Sequence, residues 1–148
     1  MTIRRATNHE TQMILDHCLD VMKEATMGYV AEEKEKALEM ITPFLSNGGF
    51  YLVYVENKII KGWIGLGDTI DFFTDEQVGF IPELYVIPQY RRNGIAKLLC
   101  QKALIKFKEE GYRKVQLNVF SGNDIKKLYQ ELGFEETSTL MEKSLDRS

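Results

Sequence analysis

The chain has 148 residues, of which 44% are hydrophobic and 28% charged, and its formal net charge is −3. This length indicates a single domain over residues 1–148 whose core needs neither a metal nor a disulfide. The slightly acidic balance argues against a dedicated nucleic-acid binder, which needs a basic excess to neutralise phosphates. Residues 1–10 contain no apolar leader, and no apolar run approaches ~18 residues. We therefore expect a cytoplasmic protein that does not bind membranes.

The first half of the chain predicts a strand, two helices and a hairpin. Thr7 or Asn8 can cap the first helix, whose apolar residues recur at helical spacing as far as Ala25. The tight turn over 56–58 lies between two apolar runs and predicts an antiparallel hairpin. In chain order, the predicted elements are a strand over 2–6, a helix up to 25, a helix over 31–45, and strands over 50–55 and 59–67.

An acidic stretch over 68–77 separates this half from the next. The sequence leaves two interpretations of its carboxylates open: they form a solvated loop, or they attract a cationic amine. These residues are Asp68, Asp71, Asp75 and Glu76. The later predicted elements are a strand over 80–87, a helix over 95–110 ended by Gly111, a strand over 114–120, a helix over 124–132 closed by Gly133, and one or two strands over 137–145. This order predicts a mixed α/β sheet with helices on both faces.

The cysteines and histidines do not predict a metal site. Cys18 and Cys100 lie on the apolar stripes of predicted helices, so we expect both to be buried, reduced thiols. His9 and His17 are distant in sequence from any cluster with ligand spacing.

The segment 83–99 combines three features that anion binding requires. An apolar strand ends at Pro88, a basic turn follows, and a helix begins at about Ile95. The first N–H groups of a helix have no partner within it and, with the helix dipole, favour a phosphate. Gly94 and the small Ala96 allow the backbone to approach a phosphate closely, and Arg91 and Arg92 add positive charge. This turn therefore predicts a pyrophosphate site.

Two blocks of the chain carry a family resemblance. Residues 91–96, after the segment E-L-Y-V-x-P, resemble the acetyl-CoA signature Q/R-x-x-G-x-G/A of the GCN5-related N-acetyltransferases. Residues 123–134 resemble the N-x-x-x-x-x-Y-x-x-x-G-F element of that family. The match is clear over 81–134, although Ala96 stands where glycine is commoner, and it is only architectural over the first 50 residues.

The resemblance implies both a fold and a cofactor site. The fold would be a mixed, mostly antiparallel sheet of six or seven strands flanked by about four helices. Its parallel strands, 80–87 and 114–120, would splay apart to admit acetyl-CoA. Main-chain groups of Leu84, Tyr85 and Val86 would pair with the pantetheine arm, and an N–H there would face the thioester carbonyl. The pyrophosphate would lie on the turn formed by Arg91, Arg92, Asn93, Gly94, Ile95, Ala96 and Lys97.

Three side chains are candidates for contact with the reacting groups. Tyr129 either packs as an amphipathic ring or, as the resemblance implies, donates a proton to the departing thiolate. Asn123 starts a short helix, contacts pantetheine, or does both. Glu83 is either a solvated carboxylate at a strand end or the general base that receives the amine proton.

The sequence thus predicts an acetyl-CoA-dependent N-acetyltransferase that needs no metal. It would transfer the acetyl group directly to a small primary amine in a ternary complex, with polyamines or amino-sugars favoured as acceptors. The alternatives are an acyl-CoA-binding regulatory module without turnover and a protein N-terminal or lysine acetyltransferase. A homodimer is compatible with the sequence.

Overall fold

A computed structural model describes residues 1–28 and 33–146 of the chain. Its strands are β1 (Thr2–Arg5), β2 (Phe50–Glu56), β3 (Ile59–Ile70), β4 (Gln77–Phe80), β5 (Leu84–Val86) and β6 (Val115–Gln116). They form one sheet in the order β1-β2-β3-β4-β6, and β5 pairs with β3. All paired strands are antiparallel except β4 and β6, which are parallel. The predicted mixed, mostly antiparallel sheet is confirmed.

Helices cover both faces of the sheet. They are α1 (Asn8–Leu15), α2 (Cys18–Ala25), α3 (Lys34–Ser46), α4 (Ile95–Glu109) and α5 (Ile125–Glu131), and a 3-10 turn (Pro88–Tyr90) precedes α4. Because side chains alternate along a strand, Leu52 and Ile64 pack on the α4–α5 side while Val53 and Trp63 pack on the α1–α3 side. Within the described ranges, none of these helices has the length and apolar character needed to cross a membrane.

The first predicted helix is in fact two helices, α1 and α2. Thr7 and Glu10 form a reciprocal capping box at the start of α1, and the pKa of Glu10 falls to about 2, chiefly because Arg4 donates to its carboxylate. Asp16 ends α1 and His17 precedes α2, and both are weak helix formers. The apolar spacing continues across this break, so the sequence pattern does not reveal it. The second predicted helix is α3, and residues 31 and 32 of that prediction lie outside the described residues.

The predicted strand over 80–87 is interrupted by a bulge between β4 and β5. Gly67 pairs with Phe80 and Ile64 pairs with Leu84, so two residues of β3 face three residues, 81–83. Pro82 occupies the bulge, where its missing N–H costs no ladder bond. A Cβ atom on Gly65 would lie 2.9 Å from Cγ of Pro82, so the close approach requires glycine there. Before the bulge, β4 pairs with both β3 and β6. After it, β5 pairs with β3 and not with β6.

The predicted strands at the end of the chain are wrong or shorter than expected. Only Val115–Gln116 of the predicted strand over 114–120 is a strand, and residues 137–145 form none. Leu140 is 98% exposed, and Met141 and Leu145 are nearly as exposed. A strand needs a neighbour that offers a hydrogen-bonding ladder, and β6 is only two residues long. The alternating polarity of residues 137–145 therefore reflects a strand propensity that no neighbouring strand among the described residues satisfies.

Candidate active site

An unpaired strand edge opens beside the bulge. The parallel ladder ends where Ile81 N–H donates to Gln116 O at 3.0 Å. Beyond it, Gly65 N–H donates to Glu83 O and Ile87 N–H donates to Lys61 O, both at 2.9 Å, so the odd-numbered residues of this segment bond to β3. Because hydrogen bonding alternates along a strand, the main-chain groups of Leu84 and Val86 face the opposite, open edge. The main-chain groups of Leu84 and the Val86 N–H can pair with an extended ligand that lies in the splay, whereas Val86 O accepts from Arg91 Nε.

The turn between β5 and α4 presents six consecutive N–H groups, those of residues 92–97, with no acceptor in the described part of the chain. The first N–H bonded inside the helix region is that of Leu98, which donates to Gly94 O at 3.1 Å. Arg92 and Gly94 have positive φ angles of 68° and 77°, and left-handed residues of this kind occur in turns whose successive N–H groups bind one anion. A Cβ on Gly94 would meet nothing within 4 Å, so the space before the helix is open. This arrangement suits a pyrophosphate.

The side chain of Arg91, at the start of this turn, is directed elsewhere. Its Nε donates to Val86 O at 2.8 Å, and both Nη atoms donate to the carboxylate of Glu24 on α2, Nη2 at 2.9 Å. The guanidinium lies 5.2 Å from the centre of the Tyr85 ring. Arg92 and Lys97, by contrast, are exposed.

Tyr129 lies on the α4–α5 side of the sheet, in the same apolar cluster as Val86 and Cys100. Its ring packs edge-on against Phe134, with centroids 5.6 Å apart, and its hydroxyl has no hydrogen-bond partner among the described residues. Burial, and then the nearby Cys100, raises the pKa of Tyr129, so the phenol keeps its proton at neutral pH. A buried phenol with an uncommitted O–H can donate to a thiolate.

Asn123 precedes α5 and connects it to α2. Its Oδ1 accepts a hydrogen bond from Ile125 N–H at 3.1 Å, which satisfies a free donor at the start of the helix. Its Nδ2 lies 3.5 Å from the carbonyl oxygens of both Glu24 and Ala25. The residue therefore occupies the helix-start position that the sequence predicts, and contact with pantetheine remains a prediction.

Glu83 lies in the bulge, and its side chain is on the α1–α3 side of the sheet. Tyr51 O–H donates to Oε1 at 2.6 Å, and Trp63 Nε1–H donates to Oε2 at 3.0 Å. Burial raises the pKa of Glu83, and the two hydrogen bonds partly oppose that rise. Burial, and then the charge of Glu83, raises the pKa of Tyr51, so its hydroxyl remains a donor. Glu83 is thus an oriented, half-buried carboxylate and not a fully solvated strand end.

The Acetyltransferase (GNAT) family model matches residues 13–134. This chain belongs to that family. The uncharacterized N-acetyltransferase YycN of Bacillus subtilis (strain 168) is 32% identical over 92 residues, which are 62% of this chain and 58% of that protein. The matched region therefore spans little more than half the length of that relative.

Solved structures show the same GNAT fold. A Pyrococcus furiosus protein assigned as an acetyl transferase superposes with a TM-score of 0.83 at 24% identity, over 97% of this chain and 99% of that one. The aminoglycoside N-acetyltransferase AAC(6')-Iy, in complex with the bisubstrate analogue CoA-S-monomethyl-acetylneamine, superposes with a TM-score of 0.69 at 21% identity, over 97% and 96% of the chains.

The acidic stretch over 68–77 makes contacts within the β3–β4 turn and with the segment around β6. Asp68 accepts from Gln77 Nε2 at 2.8 Å and from Tyr112 O–H at 2.7 Å. Asp71 accepts from Phe73 N–H and from Gln116 Nε2, and these bonds lower its pKa. Asp68 and Asp71 thus connect the β3–β4 turn to residues 112–116 and are not merely solvated, and attraction of an amine by this stretch stays a prediction.

The structure adds three side chains that the motifs do not identify: Tyr51 and Trp63, which hold Glu83, and Glu24, which holds Arg91. Tyr51 and Trp63 are almost completely buried, and the sequence offers no signal that distinguishes them from other core aromatic residues. Across residues 1–28 and 33–146, no three His, Cys, Asp or Glu side chains are grouped so that they could hold a metal ion.

Proposed function

We propose that the protein transfers an acetyl group from acetyl-CoA directly to the primary amine of a small molecule, with both substrates bound together. The observation that carries this proposal is the placement of the two proton-transfer candidates on opposite faces of the open strand. Glu83 is bonded to Tyr51 and Trp63 on the α1–α3 side, and Tyr129 lies in the same buried cluster as Val86 on the α4–α5 side. A thioester lying between β5 and residues 117–120 would therefore have a base on one side and an acid on the other.

The open edge and the turn fit the cosubstrate. Leu84 and Val86 offer main-chain groups to the amides of a pantetheine arm, and one of their N–H groups can stabilise negative charge on the thioester oxygen. Tyr85 pairs with Trp63 of β3. Its main-chain groups therefore hold β5 in the sheet, and its contribution to the site is this position in the strand. The N–H groups of residues 92–97, with the Arg92 and Lys97 side chains, would receive the pyrophosphate.

The chemistry needs proton movements at the nitrogen and at the sulfur. The ammonium first gives a proton to solvent, the free amine nitrogen forms a bond to the thioester carbon, and the carbon–sulfur bond breaks. The second nitrogen proton passes to Glu83 directly or through water, and Glu83 then releases it to solvent. The thiolate receives a proton from Tyr129, which recovers one from solvent. A carboxyl group with a raised pKa is a stronger base than an ordinary carboxylate, and a phenol with a raised pKa is neutral before transfer.

A small cationic amine, such as a polyamine or an amino-sugar, is the acceptor class that we favour. Burial raises the pKa of the Tyr85 hydroxyl, the charges of Glu24 and Asp20 on α2 add to that rise, and Arg91 opposes it. Because Arg91 pairs with Glu24, Asp20 is the acidic side chain of α2 that we expect to attract a cation on the side of the sheet where Glu83 lies. The AAC(6')-Iy complex carries a CoA–aminoglycoside conjugate, which supports an amino-sugar.

The proposal is tested by incubating the protein with acetyl-CoA and a panel of polyamines, amino-sugars, amino acids and peptides, and by measuring free thiol and acetylated product. We expect thiol release with a small amine, intersecting initial-velocity patterns and no acetylated enzyme. Turnover with peptides alone would indicate a protein acetyltransferase. Acetyl-CoA binding without thiol release on any amine would indicate a regulatory module.

A further inference from the structure

All three nitrogen atoms of the Arg91 guanidinium are already committed to protein acceptors. Nε donates to Val86 O at 2.8 Å, and Nη1 and Nη2 form a paired contact with the carboxylate of Glu24. Two parallel N–H···O bonds to a carboxylate are the most favourable geometry for arginine, and they neutralise its charge. An arginine held in this way is poorly placed to attract a pyrophosphate in front of α4.

The end of α2 contacts both sides of the splay. On one side, Glu24 binds Arg91, which in turn binds the open strand at Val86. On the other side, the carbonyl groups of Glu24 and Ala25 lie 3.5 Å from Asn123 Nδ2. The end of α2 therefore spans from the cofactor strand to the segment that precedes α5, on the face where Glu83 and Tyr85 lie.

We propose that Glu24 and Arg91 act as one positioning unit, which fixes the end of α2 to β5 and so shapes the acceptor side of the site, while Arg92 and not Arg91 provides the side-chain charge for the pyrophosphate. This inference rests on the proposed acetyl transfer. Arg91 touches neither substrate in this assignment. It orients the Val86 carbonyl and holds α2 above Tyr85, and Glu24 keeps it in that orientation.

A phosphate-binding role for Arg91 makes the opposite prediction for Glu24. If the Arg91 charge served the pyrophosphate, Glu24 would compete for it, and Glu24→Gln would leave acetyl-CoA binding unchanged or tighter while Arg91→Gln weakened it. If the pair is one positioning unit, the two substitutions have the same effect. That effect falls on the acceptor, and the double variant is little worse than either single one.

The test compares wild type, Glu24→Gln, Arg91→Gln, Arg91→Lys and the Glu24→Gln/Arg91→Gln double variant, with Arg92→Gln as the matched arginine. Acetyl-CoA affinity is measured by calorimetry at two salt concentrations, and acceptor kcat and KM are measured at saturating acetyl-CoA. Hydrogen exchange over residues 18–28 reports on the end of α2 and requires no turnover.

We expect Glu24→Gln, Arg91→Gln and the double variant each to lower kcat/KM for the acceptor by a similar factor of ~10, with acetyl-CoA affinity within about twofold of wild type. Their exchange over α2 should rise equally. Arg91→Lys should behave like Arg91→Gln, because an ammonium cannot make the paired contact. Arg92→Gln should weaken acetyl-CoA in a salt-dependent way and leave exchange over α2 unchanged.

Weaker acetyl-CoA binding in Arg91→Gln but not in Glu24→Gln, or additive losses in the double variant, would overturn the inference. Unchanged exchange over α2 in both single variants would also overturn it. Absence of acetyl-CoA binding or of thiol release in the wild type would instead count against the proposed function, and the exchange data would still decide whether the two residues act together.

Discussion

The hydrogen bond from Tyr51 to Glu83 allows a direct test of whether Glu83 is the base. Tyr51→Phe removes only the hydroxyl that donates to Oε1 at 2.6 Å and retains the buried ring and the bond from Trp63. A hydrogen bond to a charged group contributes ~1.5–3 kcal/mol. At 1.36 kcal/mol per pH unit, this loss corresponds to a displacement of about 1 to 2 pH units.

The direction of that displacement follows from the environment of the carboxyl group. The Tyr51 hydrogen bond opposes the rise that burial produces in the pKa of Glu83, so its removal must raise that pKa further. A general base works only when it is deprotonated. The acid limb of the kcat/KM profile should therefore move to higher pH by about 1 to 2 units, while the alkaline plateau remains close to wild type.

The assay is thiol release between pH 5 and 10 with the best amine from the acceptor screen. Tyr54→Phe is the matched control, because Tyr54 is a buried tyrosine of the same strand whose ring packs on the opposite face. Its acid limb should coincide with that of wild type. A Tyr51→Phe profile that also coincides with wild type would refute Glu83 as the titrating base.

Three further outcomes are expected. Gly94→Glu should abolish the rise in melting temperature that acetyl-CoA causes, whereas Gly111→Glu, at another open glycine with positive φ, should retain that rise; equal shifts in both would remove the pyrophosphate from the turn. Tyr129→Phe should lower kcat by ~10²-fold or more with acetyl-CoA affinity retained, and turnover within about threefold of wild type would assign the proton to another donor. Asp71→Asn should lower the melting temperature at pH 7 without changing the acceptor KM. The pKa of Asp71 is lowered in the folded protein. The stability that its carboxylate provides is therefore present above the ordinary carboxyl pKa and is lost as the pH falls through the lowered pKa of the folded state. The difference in melting temperature between wild type and Asp71→Asn should accordingly shrink toward pH 3.

The sequence predicted the parts of the site that depend on local chemistry. Helix α4 begins at Ile95 as expected, since a glycine in the left-handed conformation and a run of free N–H groups are properties of a short segment. The family resemblance predicted that main-chain groups of Leu84, Tyr85 and Val86 pair with pantetheine, and this contact stays a prediction. Among the described strands β5 pairs with β3 alone, which leaves one edge of it open.

The features that the sequence did not predict depend on distant partners. The bulge arises from the register of β3 against two different strands, which no local pattern in 80–87 encodes. Likewise, Glu24 and Arg91 are 67 positions apart, and only the fold brings their charges together. The tail over 137–145 shows the converse case, in which local alternation predicts strands but no neighbour pairs with them.

The bulge at 81–83 lets one chain segment serve two purposes. Ile81 packs on the α4–α5 side, whereas Tyr85, four residues later, packs on the α1–α3 side, so the extra residue breaks the usual alternation of faces. Deleting Pro82 would leave two residues facing two, and Phe80 could keep Gly67 and Leu84 could keep Ile64 as partners. The faces of the side chains would therefore survive the deletion. What the extra residue supplies is a local bend, at the point where pairing with β6 ends and the strand becomes free to bind.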